Sequence, residues 1–274
     1  MASRYDTNKP NKQKQVIDFQ KNYHHICSDI NNLELEELKI FLESHSKSPN
    51  GCIEILKKRA KSIIPRHITA PPKSQLPYLL VLDFECTCES PKPLGWQHEV
   101  IEFPILLLNT QTLKVEKEFH SFCRPILNPK LTKFCVDYTG ISQDKVDTAP
   151  TFVELLPLVD KWVYENVVAR KVPFAFATDG PWDFFKFLRP QCEFSHLEYP
   201  WYATKWVNVR KHFSRYYGLR GGISYMLECL GQKFIGEPHS GIDDTRNICS
   251  IVVQLLEDGA SLCINDSLSA NKHV

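Results

Sequence analysis

No apolar run in this 274-residue chain comes near the ~20 residues that a membrane span needs; the longest, such as "YLLVL" and "FPILLL", fall well short. Nor is there an apolar core behind Met1 of the kind a secretory signal requires, because "MASRYDTNKPNKQKQ" is polar. Both absences lead us to expect an intracellular protein without a membrane partner, placed in the cytoplasm, the nucleus (nucleolus included) or both. Ten cysteines are scattered without a CxxC pair, and no Cys/His pair follows Cys86 and Cys88 at zinc-site spacing. Reduced thiols are expected in place of a disulfide framework or a zinc site. Internal repeats are absent. A net charge of one sign is lacking too, but the +1 total conceals an asymmetry: residues 1–75 carry 13 Lys/Arg against 8 Asp/Glu, and the remainder 20 against 24. A basic front joined to an acid-bearing body suits a polyanionic ligand.

What is present is enough apolar sequence, 43% of residues, for one large core and a small second module. Residues 1–32 read as a polar tail. In 33–64, Leu35, Leu38 and Leu42 recur at helical spacing, "SKSPNG" interrupts, and Ile53, Leu56, Ala60 and Ile63 mark a second amphipathic face. This predicts a helical pair around a turn. Residues 65–77, with four prolines, read as a linker, 78–266 as the main domain and 267–274 as a tail. Within the main domain three strand-like runs (78–84, 100–109 and about 112–123) precede a helix over about 151–168. A short buried strand ending at Asp179, a helical stretch from Trp182 and a last helix from about Asp243 follow. Strands first and alternating helix and strand afterwards predict an α/β fold with a mixed sheet flanked by helices.

The chemistry-bearing residues stand at the ends of these runs. In "LDFECTCE", Asp83 and Glu85 are two apart, so in a strand they share a face. Two carboxylates held side by side repel, burial worsens the conflict, and a divalent cation removes it; an oxygen-only set suits Mg²⁺ or Mn²⁺. Asp179 ends "FAFATDG" in the same way and is expected at the same sheet edge, where open sheets place ligands. In "PHSGIDDTRN", His239 lies in a loop and Asp243 and Asp244 open a helix. Asp244 lies 4, 7, 8 and 11 residues before Ile248, Ile251, Val252 and Leu255 and so opens the apolar stripe, whereas Asp243 aligns with the polar Asn247, Ser250 and Gln254. Asp244 is the expected inward ligand. His239 has a pKa suited to a general base.

The set Asp83-x-Glu85, Asp179 and His239-x4-Asp244 resembles the DEDDh class of 3′–5′ exonucleases. The stretches "LDFECTCE", "HEVIEFPILLLNT", "ATDGPWDFFKFL", "YPWYATKWVNVRK" and "HSGIDDTRNI" resemble the histone mRNA 3′-end exonuclease, or enhanced-RNAi exonuclease, family within it. The resemblance spans about residues 76–266 and implies an RNase H-like fold. Residues 33–64 are similar to the SAP-type nucleic-acid module at the front of these enzymes. The resemblance further implies two Mg²⁺ ions, with Mn²⁺ able to substitute. Asp83 would bridge them, Glu85 and Asp244 would complete one site, and Asp179 would act directly or through water. His239 would take a proton from the attacking water, and the product would be a nucleoside 5′-monophosphate. Implied substrates are structured RNA 3′ ends: histone mRNA stem-loops, on which a stem-loop-binding protein would be a partner, ribosomal RNA ends, or small interfering duplexes.

For substrate grip, Lys57, Lys58, Arg59 and Lys61 on the second front helix are phosphate candidates. Lys205, Arg210 and Lys211 stand among aromatics in "KWVNVRKHFSRYYGLR", and Trp182 is placed to stack on a terminal base. The motifs do not read the sugar, so a DNA-trimming exonuclease of the same class, or an RNA-binding scaffold without catalysis, remains an alternative reading.

Overall fold

The computed structural model describes residues 23–64 and 76–269. Three short helices come first: α1 (Tyr23–Asn31), α2 (Leu35–Ser44) and α3 (Ile53–Ser62). Ile26 and Ile30 of α1 pack with Leu38, Leu42, Leu56 and Ala60. Among the described residues the front core therefore takes in α1 as well as the expected helical pair: residues 23–31, expected as part of a polar tail, are helical, and Ile26 and Ile30 bury against α2 and α3. The expected linker lies outside the described residues except for its end, and the first 22 residues lie wholly outside them.

The body continues through β1 (Tyr78–Val81), β2 (Glu85–Cys86), β3 (Val100–Asn109), β4 (Lys114–Phe122), α4 (Lys133–Thr139), α5 (Gln143–Asp147) and α6 (Phe152–Asn166). It then runs through β5 (Phe174–Thr178), a widened π-type turn (Asp183–Leu188), α7 (Arg189–Phe194) and β6 (Lys205–Asn208). The last elements are α8 (Val209–Tyr217), α9 (Ile223–Leu230), α10 (Gly241–Glu257) and β7 (Asp266–Ser267). One mixed sheet results, with β1, β5 and β6 parallel and β3 antiparallel to β1; β2 and β4 both pair with β3, and β7 pairs with β6. The expected C-terminal tail is partly sheet, since Ser267 pairs with Lys205 and Leu268 packs on the core.

"YLLVL" is apolar at every position because both faces of β1 are covered. Leu79 and Val81 meet Val209, Met226, Ile248 and Val252 from α8, α9 and α10, while Leu80 and Leu82 meet Phe103, Leu156 and Phe184 on the other side. The parity that sends Leu79 and Val81 toward α10 also sends Asp83 and Glu85 there. Ala175 and Ala177 share that side in β5, which fixes the direction of Asp179.

The front module is joined to this body. Ile55 of α3 belongs to the core formed by α8, α9 and α10, and the Cys52 N–H donates to the Cys229 carbonyl (2.8 Å). Gly231, at φ +69°, closes α9 so near Gly51 that a Cβ there would meet the Gly51 nitrogen at 2.6 Å. Arg59 is wholly buried: its Nε donates to Asp258 (2.8 Å) and its Nη1 to the carbonyls of Ser48 and Asn50. Tyr217 and Gln254 donate to the same Asp258 carboxylate. Arg59 is thus a structural ion pair and no surface phosphate contact, a correction to its grouping with the lysines.

Candidate active site

Parallel β1 and β5 end together, and the N-terminus of α10 lies across their ends. This brings Asp83, Asp179, His239 and Asp244 to the lining of one cleft of about 420 Å³, with Glu85 beside them. A carboxylate oxygen of Glu85, one of Asp244 and a ring nitrogen of His239 lie within 4.8 Å of one another. The His239 N–H donates to Asp244 Oδ2 (2.8 Å), which fixes the loop to the helix it precedes. Asp244 is buried, whereas Asp243 faces outward to Arg246 and accepts from the Glu237 N–H. The face expected to be polar is nevertheless covered. Asn247 is buried and bonds both the N–H and the carbonyl of Ile235, holding the segment that leads to His239.

Two further acids escaped sequence reasoning. Asp183, in the π-type turn, is buried and accepts from the N–H of Phe84 (3.0 Å), the residue between Asp83 and Glu85. Glu102 of β3, opposite Glu85, accepts from Gly241 N–H (2.9 Å), Ile242 N–H (3.2 Å) and His120 Nε2 (2.7 Å). It therefore caps the first turn of α10 from across the sheet. Gly241 is required there, because a Cβ would stand 2.9 Å from the Asp83 carbonyl oxygen. A charged residue inside "VIEFPILLLN" was the available signal, since an unpaired acid is not tolerated in a buried strand.

The electrostatics follow from this crowding. Burial, then Asp183, Glu85, Asp244 and Asp179, push the Asp83 carboxyl well above its ordinary range; burial and Asp244 do the same to Glu85. Asp244 and Asp183 are each pushed up to about 7, chiefly by burial. Partial desolvation at the cleft shifts the His239 pKa downward, which favours the neutral imidazole that can accept a proton. Arg210 Nε lies 3.3 Å from Asp179 Oδ1, and its Nη2 also pairs with that carboxylate. A cluster of oxygen donors whose charges oppose one another fits hard divalent cations, which relieve the repulsion and accept mixed carboxylate and water coordination.

The remaining grip candidates separate. Trp182 is exposed beside the site, with Lys186 Nζ 4.6 Å from its ring centroid. Arg210 is at the cleft. Lys205 is not: it begins β6, and the acids follow the opposite, C-terminal ends of the parallel strands. Lys211 is held by buried Asp266 (2.8 Å), and Trp206, Phe213 and Tyr217 are core. Lys57 and Lys61 are half-exposed on α3, and Lys58 lies over the Tyr216 ring. Among the described residues no helix is long and apolar enough to cross a membrane.

Comparison with known proteins agrees with the geometry. The exonuclease (RNase T) family matches residues 80–252. The 3′–5′ exoribonuclease 1 of Homo sapiens is 39% identical over 251 residues, covering 89% of this chain and 72% of that protein. The crystal structure of the nuclease domain of 3′hExo, a DEDDh family member bound to rAMP, superposes with TM-score 0.68 at 43% identity, over 70% of this chain and 98% of that one. A structure of a 3′-exonuclease in 3′-end-specific recognition of the histone mRNA stem-loop has TM-score 0.68 and 42% identity, over 70% of this chain and 87% of that one. Four carboxylates and a histidine at one strand-end cleft, on a fold and sequence shared this widely, lead to one conclusion: the chain belongs to the exonuclease family, in its branch of divalent-metal-dependent DEDDh 3′–5′ exoribonucleases.

Proposed function

We propose that this protein trims the 3′ ends of structured RNA, a stem-loop or a duplex with a short overhang, releasing nucleoside 5′-monophosphates with two Mg²⁺ ions for which Mn²⁺ can substitute. The observation that carries the reading is the convergence of Asp83, Glu85, Asp179 and Asp244 with the His239 imidazole at one cleft. Asp83, Glu85, Asp179 and Asp244 would hold the ions, Asp179 directly or through water. The bound ions would supply charge stabilisation at the attacking and departing oxygens of the phosphodiester. His239, whose pKa partial desolvation shifts downward, takes the proton of the attacking water. Asp244 holds the His239 backbone in register with that water, and Arg210 balances the charge of Asp179. Trp182 offers a face to the terminal base. Lys57, Lys58 and Lys61 form the duplex-facing grip of a SAP-like front module. A histone mRNA stem-loop, with a stem-loop-binding protein on the same RNA, is one substrate this reading admits; it places the protein in the cytoplasm, the nucleus or both.

The test compares RNA and DNA oligomers, each with a recessed or an overhanging 3′ end, in Mg²⁺ and in excess EDTA. Stepwise loss of 5′-monophosphates from RNA, abolished by chelation and restored by Mg²⁺ or Mn²⁺, is expected. Equal or faster loss from DNA would transfer the reading to DNA trimming, and undiminished hydrolysis in EDTA would remove the metal assignment.

A further inference from the structure

The imidazole of His239 stands in an exposed loop at a left-handed backbone position (φ +65°). Among the described residues no hydrogen bond reaches either ring nitrogen; the residue is held through its backbone N–H, which donates to Asp244. A general base acts only when its lone pair is aimed at the proton it takes, and that aim usually comes from an acceptor at the second ring nitrogen. Here another contact takes that place. The Tyr138 ring lies nearly parallel to the His239 ring, with centroids 4.0 Å apart and 23° between the planes. Phe134, one helical turn earlier, stacks behind Tyr138 at 5.6 Å and 12°.

The helix that presents these rings is anchored to the segment that carries Glu85. Thr132 caps α4, accepting from the Cys135 N–H (3.0 Å), and its hydroxyl donates to the Cys88 carbonyl (3.0 Å), three residues after Glu85. Cys135 is buried with Ile101, Ile141 and Val146, and Gly140 closes the helix in the left-handed conformation. Tyr138 is thereby fixed relative to Glu85 through α4, while His239 is fixed relative to Asp244 through its own loop. The ring pair closes the circuit between the two sides of the cleft.

We propose that Tyr138 is a positioning residue: its ring holds the imidazole of His239 beside the Glu85 and Asp244 carboxylates. The inference rests on the reading of His239 as general base. The Tyr138 hydroxyl has no hydrogen-bond partner among the described residues, so the ring alone is required and phenylalanine should serve in its place.

The test measures kcat and KM on a short single-stranded RNA in Mg²⁺ for the wild type, Tyr138→Phe, Tyr138→Leu, Tyr138→Ala, His239→Ala and the Tyr138→Ala/His239→Ala double variant. Tyr138→Phe should match the wild type. Tyr138→Ala should lower kcat by roughly 3- to 10-fold, the scale of one aromatic pair, at unchanged KM. Tyr138→Leu keeps apolar bulk on a half-exposed position and should fall with Ala, which separates stacking from folding. In the His239→Ala background, Tyr138→Ala should add no further loss, because it acts through that ring. A raised KM at unchanged kcat would make Tyr138 a substrate surface instead and overturn the proposal, as would an additive loss in the double variant or an unaltered rate in Tyr138→Ala. If His239→Ala itself leaves kcat intact, the general-base reading falls first; if His239→Ala is slow and Tyr138→Ala is not, only the positioning role falls.

Discussion

Asp244 and Asp243 are neighbours in sequence with opposite fates, one buried at the cleft and one turned to Arg246. Asp244→Asn should eliminate hydrolysis with little loss of stability, while Asp243→Asn keeps most activity and costs ~0.3–1 kcal/mol at the helix start; rates in the opposite order would move the ligand assignment. His239→Ala should slow single-turnover cleavage by roughly 10²–10⁴-fold with RNA binding retained. The crowded acids also set a pH signature. Asp183 and Asp244 rise from an ordinary 3.8 to about 7, so from about pH 4 to about pH 7 the metal-free native state holds protons that the unfolded chain has released. Stability contributed by these groups is therefore present at the acid end and lost as pH rises through the folded pKa. The melting temperature in EDTA should decline across that window relative to Asp244→Asn, and the gap opened by Mg²⁺ should widen; a gap independent of pH would contradict the crowding. The legible residues at this scale were those whose position along a run revealed them: Asp83, Glu85 and Asp179 end apolar strands, and His239 and Asp244 flank a helix start. Asp183 and Tyr138 were not legible, because their roles depend on which backbone N–H and which ring the fold brings to them.

Among the elements, α10 connects the cleft to the core, and its first turn is held by Glu102 from another strand. Glu102→Ala leaves two buried N–H groups and His120 without their acceptor. It should destabilise the protein by ~1–3 kcal/mol in a urea titration and lower kcat, because Asp244 and the His239 loop move with that turn. An unchanged urea midpoint would mean that the cap is redundant. Helical period alone oriented α10 correctly toward the sheet, since one stripe is unmistakably apolar. The same period leaves the Asn247 face open, and it is covered by the segment around Ile235. Strand direction was the other gap. Lys205 and Arg210 stand five residues apart in one basic, aromatic stretch, yet β6 runs parallel to β5, so only the later residue reaches the catalytic edge. Local composition carries no sign of which end of a strand faces the site.

For the molecule as a whole, the sequence divides into a basic front and an acidic body, and the mixed sheet with flanking helices was readable from run order. That the two parts share a core was not, because Arg59 and Asp258 are 199 residues apart. This separates two kinds of basic residue on α3. Replacing Lys57, Lys58 and Lys61 with alanine should weaken binding of structured RNA and flatten its salt dependence by roughly one unit of slope for each phosphate no longer neutralised, with little change in cleavage of a short single strand. Arg59→Ala should instead leave Asp258 buried and uncompensated, destabilising the whole protein by ~3–5 kcal/mol; a selective loss of RNA affinity at unchanged stability would return Arg59 to the phosphate set. The seating of Gly51 against Gly231, with Ile55 in the core of the body, has one more consequence. A specific protease site placed within residues 65–75 would, once cut, break the polypeptide without separating its halves. The nicked protein should elute from a sizing column as one particle, resolve into two fragments only in denaturant, and fall apart under native conditions when Arg59→Ala is added.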